Sequence, residues 1–382
     1  MSPASVRLRR GRQLHSATLD MTARGAQPNR SSRSGGVIAR YLEFLPLNKN
    51  TPVVSLGEGS TPFLFARRLS DRIGCRVIIK CESMNPTGSF KDRGMSVAVS
   101  KALETGAHTL LCASTGNTAA SAAAYAAHAG VQCAVILPAG KITSGKLTQA
   151  IAHGATIVTL NGSFDDALRI VRELANEKHF SVVNSINPDR IAGQKTAAFE
   201  IIDELDDAPD VHVLPLGNAG NLTAYWNGYG EFHQLGHCQR RPRMIGVQAE
   251  GAAPIFYRRV IEKPETVASA IRIGNPASWA SAQQAIDESM GAADIVSDGE
   301  ILTAQRWLAQ NEGIFVEPAS AAPVAWLLNA SPTTKERFLS GDPIIACTVT
   351  GHGLKDPQSI ASGLPQPIAA TTRAVRAALT CS

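Results

Sequence analysis

Asn85-Pro86-Thr87-Gly88-Ser89-Phe90-Lys91-Asp92-Arg93-Gly94 lies between two contrasting segments. Before it comes a short apolar run, Val77-Ile78-Ile79-Lys80-Cys81-Glu82, that reads as a buried strand. After it, residues 95–102 are rich in Ala, Val and Ser and read as a helix. Asn-Pro-Thr-Gly is turn chemistry: proline fixes φ, and glycine permits a backbone that β-branched residues avoid. Lys91 therefore stands where a loop becomes a helix. Two readings follow. One is a solvated lysine at a helix start, the ordinary fate of this residue. The other is an amine mounted on a rigid loop, partly deprotonated and aimed at a carbonyl, as Schiff-base chemistry requires.

From Arg76 onward, short apolar runs alternate with helical patterns. Strands are predicted at 77–81, 109–113, 133–137, 156–160, 181–184, 211–216, 244–248 and 344–349. Amphipathic segments such as 164–177 and 196–205 lie between most of them. This alternation predicts an α/β fold with parallel sheet. Ligands of such sheets bind at the carboxyl ends of strands, where loops meet helix N-termini. Residues 37–70 include a turn-rich segment, Leu56-Gly57-Glu58-Gly59-Ser60-Thr61-Pro62. Residues 297–329 read as two helices around Gly313-Ile314-Phe315-Val316-Glu317-Pro318-Ala319-Ser320. The Ala-rich end of the chain reads as a helix or a frayed tail.

The motifs fall at strand ends. Ser114-Thr115-Gly116-Asn117-Thr118 follows the strand at 109–113 and opens a small-residue helix. Free N–H groups and the helix dipole there suit a carboxylate or phosphate; the alternative is an ordinary Ser or Thr cap. Gly217-Asn218-Ala219-Gly220-Asn221 follows the strand at 211–216. Its glycines let backbone N–H groups approach an anion, although it is neither a Walker loop nor G-x-G-x-x-G, and a plain turn would look similar. Thr350-Gly351-His352-Gly353-Leu354-Lys355-Asp356 follows the last strand. Thr350 offers a ligand a hydroxyl rather than a carboxylate, and His352 between two glycines reads as structural. Asn184-Ser185-Ile186-Asn187-Pro188-Asp189-Arg190 gathers amides and a guanidinium into a second anion site, or into an Asn-Pro turn followed by a surface arginine. A phosphate-bearing aldehyde with a ring nitrogen would use the lysine, the glycine loop, the helix cap and the hydroxyl together. Pyridoxal phosphate is such a molecule.

Bulk properties narrow the alternatives. The chain has 382 residues and a net charge of +5. Seven arginines against one aspartate give residues 1–36 a charge of +6, so the remainder carries −1. A nucleic-acid partner would rest on that segment alone, and none is expected. The segment lacks hydrophobic periodicity and is expected to be disordered. It reads either as a transit peptide or as an upstream extension with Met21 as an alternative start. Seven cysteines without any C-x-x-C pair point to a reducing, cytoplasmic setting, with no disulfide framework and no metal site. No apolar run is long enough for a membrane helix, and no membrane partner is expected.

From about residue 40 to about residue 360 the chain resembles the threonine synthase family, in its short bacterial form. That family lies within the fold type II group of pyridoxal-phosphate enzymes, which are tryptophan synthase β-like. The resemblance rests on the motifs containing Lys91, Ser114–Thr118, Gly217–Asn221 and Thr350–Asp356, in the family's order. It implies two open, twisted, mostly parallel sheets flanked by helices. A large domain (37–85 and 183–360) would bind the cofactor, a small mobile domain (86–182) would lie against it, and 361–382 would be a tail. Lys91 would carry pyridoxal phosphate and shuttle protons, and Asn117 would donate to the cofactor's phenolic oxygen. Gly217, Asn218, Ala219, Gly220 and Asn221 would hold its phosphate, and Thr350 would bond its ring nitrogen. Ser114, Thr115 and Thr118 would take the substrate carboxylate. Asn184, Ser185 and Arg190, with Asn218, would take the substrate phosphate.

The implied reaction converts O-phospho-L-homoserine and water to L-threonine and phosphate, by γ-elimination and β-addition of water, in a homodimer. A threonine or serine dehydratase of the same fold is the rival reading. Those relatives commonly carry histidine at the position of Thr118 and Ser or Cys at that of Thr350. A cysteine-synthase-like enzyme and a binding protein that has lost the chemistry are weaker rivals.

Overall fold

The computed structural model describes residues 35–139, 144–185, 187–357 and 366–380. The basic segment at 1–36 lies outside them except for Gly35 and Gly36. Ten strands form among the described residues: β1 Phe63–Phe65, β2 Arg76–Cys81, β3 Thr109–Cys112, β4 Gln132–Pro138, β5 Thr156–Leu160, β6 Phe180–Val182, β7 Val211–Pro215, β8 Arg243–Ala249, β9 Ala292–Val296 and β10 Ile344–Val349. They make a six-stranded sheet in the order β1-β2-β10-β7-β8-β9 and a four-stranded sheet in the order β5-β4-β3-β6. Every pairing is parallel except β1 with β2. The two sheets, their parallel order and their helical flanks are those of a fold type II α/β enzyme.

All eight predicted strands form, and two more appear. β1 and β9 are the two edges of the larger sheet. An edge strand is not enclosed on both sides, so it need not be a continuous apolar run. β1 exposes Leu64 and Phe65, and β9 contains Asp294 among half-buried neighbours.

Both faces of the larger sheet are covered, and strand alternation assigns residues to each. Val213, Ile345, Cys347 and Val349 face one apolar layer with the helices Asp298–Glu312 and Pro318–Asn329. Leu214 and Ala346 face the other, against Pro188–Leu205 and Gly220–Gln234. In the smaller sheet Leu110 and Cys112 pack on the alanine-rich helix Asn117–Ala129, whereas Leu111 and Ala113 face the helix Phe164–Leu174. The chain's end contributes an exposed helix, Thr372–Thr380.

One crossing places the site. The helix Lys91–Glu104 meets Pro188–Leu205 at Gly94 and Gly193. A Cβ on Gly94 would lie 2.6 Å from the Arg190 carbonyl oxygen, and one on Gly193 would lie 2.3 Å from the Arg93 carbonyl oxygen. Only glycine permits such an approach at either position, so the backbones touch there. Beside the crossing lies a buried ionic cluster. Arg93 bonds Glu82 (Nε to Oε2, 2.7 Å) and Glu200 (Nη2 to Oε2, 2.6 Å), and Lys80 bonds Glu200 (2.6 Å). Two cations and two carboxylates balance, which suits charges out of water.

Candidate active site

The loops that leave β2, β10 and β7 emerge side by side, because these strands are parallel neighbours. The Lys91 loop is bonded directly to the Thr350 loop. Phe90 N donates to Thr350 O (3.0 Å) and His352 N to Gly88 O (2.9 Å), with a bridge between Ser89 and Gly351. A third segment joins them, where Glu317 N donates to Gly351 O (3.0 Å) and Val316 bridges His352. Lys91, Thr350 and Glu317 thus share one hydrogen-bonded platform. Gly88, at φ +80, supplies the left-handed turn below it.

Asp92 fixes the lysine's approach. Its carboxylate accepts from Thr87 N (2.7 Å), Thr87 Oγ1 (2.6 Å) and Ser121 Oγ (2.6 Å). Burial pushes its pKa up to about 6 against those hydrogen bonds. Lys91 is half-buried, and among the described residues its ammonium forms no ion pair. Its nearest aromatic contact is the Phe90 ring, 4.3 Å from Nζ. Loss of solvent, with the Arg190 cation second, pulls the lysine pKa down to about 7, while Glu317 acts the other way. An amine near that value is partly neutral at neutral pH, which separates it from a solvated helix-start lysine.

Asn117 opens its helix behind Gly116, and no side chain caps the helix there. The ordinary Ser or Thr cap is not what is built. Asn117 Nδ2 instead reaches across to Glu317 Oε1 (2.9 Å). Ser114 Oγ accepts from Gly116 N (3.3 Å), Thr115 stays half-exposed, and Thr118 is buried in the first helical turn. All of them surround one helix N-terminus.

In the glycine loop, Ala219 adopts φ +67, a conformation that costs a non-glycine residue about 1–2 kcal/mol. No side chain caps the first N–H groups of Gly220–Gln234. A Cβ on Gly217 would lie 2.9 Å from Ile271 Cα, so that residue must be small. The Asn221 Nδ2 is buried with no partner among the described residues.

Asn218 Nδ2 bonds Ser185 Oγ, and its Oδ1 accepts from Ala277 N (2.6 Å), which ties this loop to 184–190. Asn184 is engaged at both ends of its amide with Ala113: Oδ1 accepts from N (3.0 Å) and Nδ2 donates to O (2.9 Å). One N–H of Asn184 is left for a ligand, and the residue chiefly joins the ends of β3 and β6. Asn187 caps the helix Pro188–Leu205 through Asp189 N (2.8 Å). Arg190, which could have been a surface residue after an Asn-Pro turn, is fully buried. Its Nη1 donates to Val183 O (3.0 Å), whereas Nε and Nη2 have no partner among the described residues. Burial lowers its pKa, but a guanidinium stays charged. His352 is structural, its Nδ1 accepting from Leu354 N (3.2 Å).

Three site residues escaped the sequence reading. Glu317 is buried and pushed by burial up to about 7, with Lys355 and the Asn117 hydrogen bond opposing. A signal existed: it is the only charged residue between Glu312 and Lys335. Lys355 crosses from the Thr350 loop to Thr87 O (2.6 Å) and to Gln149 Oε1. Ser320 bonds Thr350 Oγ1 at 2.8 Å.

The family model described as "Pyridoxal-phosphate dependent enzyme" matches residues 54–350. A threonine synthase of Mycobacterium tuberculosis is 54% identical over 331 residues, covering 86% of this chain and 91% of that one. The chain belongs to the threonine synthases, a family of pyridoxal-phosphate dependent enzymes. Solved structures agree on the fold. Maize serine racemase superposes with a TM-score of 0.67 at 19% identity, over 77% of this chain and 88% of that one. The processed form of threonine deaminase isoform 2 from Solanum lycopersicum gives 0.65 at 21% identity, over 80% and 89%.

The residues present fit pyridoxal phosphate. A part-neutral lysine, a donor amide, a threonine hydroxyl and an uncapped helix N-terminus, with an Asn221 amide unpartnered among the described residues, are groups that suit an aldehyde, a phenolic oxygen, a ring nitrogen and a phosphate.

Proposed function

We propose that the chain converts O-phospho-L-homoserine and water to L-threonine and phosphate with pyridoxal phosphate. The observation that carries this reading beyond the family is Arg190. It is a buried cation with two nitrogens unpartnered among the described residues, within electrostatic reach of Lys91. A buried guanidinium is costly unless an anion completes it. A phosphorylated substrate supplies a second anion for Arg190 beyond the carboxylate held at Ser114, Thr115 and Thr118, and threonine or serine, the substrate of a dehydratase, has only the carboxylate.

When bound, the cofactor supplies the electron sink that stabilises negative charge at the substrate's Cα and Cβ. Lys91 Nζ, part-neutral at neutral pH, holds the cofactor and takes protons from Cα and then Cβ as the Cγ–O bond to phosphate breaks; protons return to Cγ and Cα, and water gives its hydroxyl to Cβ and its remaining proton to the released phosphate. Ser114, Thr115 and Thr118 fix the substrate carboxylate at the Asn117 helix N-terminus. Arg190, with Ser185, Asn218 and the remaining N–H of Asn184, neutralises the leaving phosphate. That anion then stays beside Lys91 and can assist addition of water at Cβ. Asn117 orients the ring through its phenolic oxygen, and Glu317 holds Asn117. Gly217–Asn221 anchor the cofactor phosphate.

The same reading takes residues 86–182 as a small domain that moves against 37–85 and 183–360, with 361–382 as a tail. It takes the working unit as a homodimer in the cytoplasm. The six described cysteines are free and buried, which supports a reducing setting. No helix among the described residues is long and apolar enough to cross a membrane.

Purified protein should carry a visible absorption band that Lys91→Ala removes along with activity. Phosphate release from O-phospho-L-homoserine should far exceed keto-acid formation from threonine. A protein that forms keto-acid faster is a dehydratase.

A further inference from the structure

Thr350 is held by a single buried side chain, and the valence of that side chain sets the direction of every bond around it. Ser320 lies in the first turn of Pro318–Asn329, fully out of water. Its Oγ accepts from Thr350 N at 3.0 Å and from Gly351 N at 2.7 Å. A serine hydroxyl has two acceptor lone pairs and one proton. Both lone pairs are taken by backbone N–H groups, which can only donate. The remaining contact, Ser320 Oγ to Thr350 Oγ1 at 2.8 Å, must therefore use the serine proton. The reverse direction would load three donors onto one oxygen and leave the serine proton buried without an acceptor, which is the costlier arrangement.

Thr350 Oγ1 is thereby an acceptor toward Ser320. Its own proton has no acceptor among the described residues and points to whatever ligand it meets. We infer that Ser320 is a positioning residue that makes the Thr350 hydroxyl an obligate donor, so that the ring nitrogen facing it is held as an unprotonated acceptor. The inference rests on the cofactor reading above. It adds a residue which fixes how strongly the ring draws electrons: a ring that cannot carry N–H withdraws less, which limits side reactions that a stronger sink would allow.

The resting protein suffices for the test, without catalysis. Full-length wild type, Ser320→Ala and Ser320→Thr are reconstituted with pyridoxal phosphate labelled with nitrogen-15 in the ring. The ring resonance is then recorded at one neutral pH. Wild type and Ser320→Thr, which keeps the hydroxyl, should show an unprotonated nitrogen. In Ser320→Ala the threonine hydroxyl is free to accept, and the resonance should move toward the pyridinium position. An unmoved resonance in Ser320→Ala overturns the role of Ser320 while leaving the proposed function intact. Should Ser320→Ala fail to fold, a protonated ring in wild type or in Ser320→Thr overturns it equally. A wild-type protein that takes up no pyridoxal phosphate overturns both readings.

Discussion

Arg93 and Arg190 are both fully buried and flank the same glycine crossing, yet their surroundings differ. Arg93 is saturated. Its Nε and Nη2 reach Glu82 (2.7 and 2.8 Å), its Nη1 and Nη2 reach Glu200 (2.8 and 2.6 Å), and Thr196 and Thr61 accept at 3.2 Å. Among the described residues Arg190 has one carbonyl partner and two nitrogens with none. A saturated guanidinium fixes geometry and has nothing left to offer a ligand. An unsaturated one is a standing cost to the fold, tolerated where an anion will arrive. On the proposed function, residues adjacent in the fold and identical in type thus divide between holding the site and serving it.

The comparison breaks if the two arginines respond alike to removal. The largest effect is expected at Arg190. Arg190→Met should cut kcat/KM for O-phospho-L-homoserine by about a thousandfold, since a desolvated charge contact contributes about 2–5 kcal/mol. Thermal stability of the cofactor-free protein should hold or rise, because an unpaired buried charge is gone; a large drop in Tm would place Arg190 with the structural group. Glu200→Gln should act the other way, destabilising the fold by about 3–5 kcal/mol in urea unfolding, because it strands Arg93 and Lys80. A variant as stable as the parent would show that the cluster does not hold the crossing.

The smallest effect concerns protons. Burial raises the carboxyls of Glu317 and Asp92 in the folded chain to about 7 and about 6, above their ordinary values near 4.5 and 3.8. Between those values the folded state binds more protons than the unfolded one. The contribution of these two groups to the stability of the cofactor-free protein should therefore be fully present below about 3.8 and be lost as pH rises to about 7, while the lowered carboxyl of Glu200 and the lowered imidazole of His212 contribute in the opposite sense. Relative to the parent, Glu317→Gln should remove a fall in Tm between about pH 4.5 and 7; an unchanged profile would mean that the Glu317 carboxyl titrates alike in the folded and unfolded chain.

Legibility followed physical locality. The loops at 85–94, 114–118, 217–221 and 350–356 each join a strand to a helix or turn within a few residues, so turn chemistry and strand ends expose them directly. Six interior strands were legible because enclosure on both faces demands an apolar run, and β5 and β6, the edges of the smaller sheet, were legible from their own short apolar runs. β1 and β9 escaped that demand as edges. The saturation of Arg93 was not readable, because Glu82 and Glu200 are brought to it from opposite sides by the fold. Neither was Ser320, whose meaning comes from lone pairs filled by two distant backbone groups. Arg190 could be named as a candidate from its neighbours in sequence, but only burial distinguishes it from a surface residue.

The position of β10 carries a consequence for biosynthesis. Among the described residues it is the last strand made, yet it lies between β2 and β7, in the middle of its sheet. Until residues 344–349 leave the ribosome, β2 and β7 have no common neighbour and the Lys91 loop has no Thr350 to lean on. A nascent chain can assemble its four-stranded sheet early but cannot complete the centre. An incomplete polypeptide would therefore lack a place to keep a reactive aldehyde, and reactivity would come only with the finished molecule.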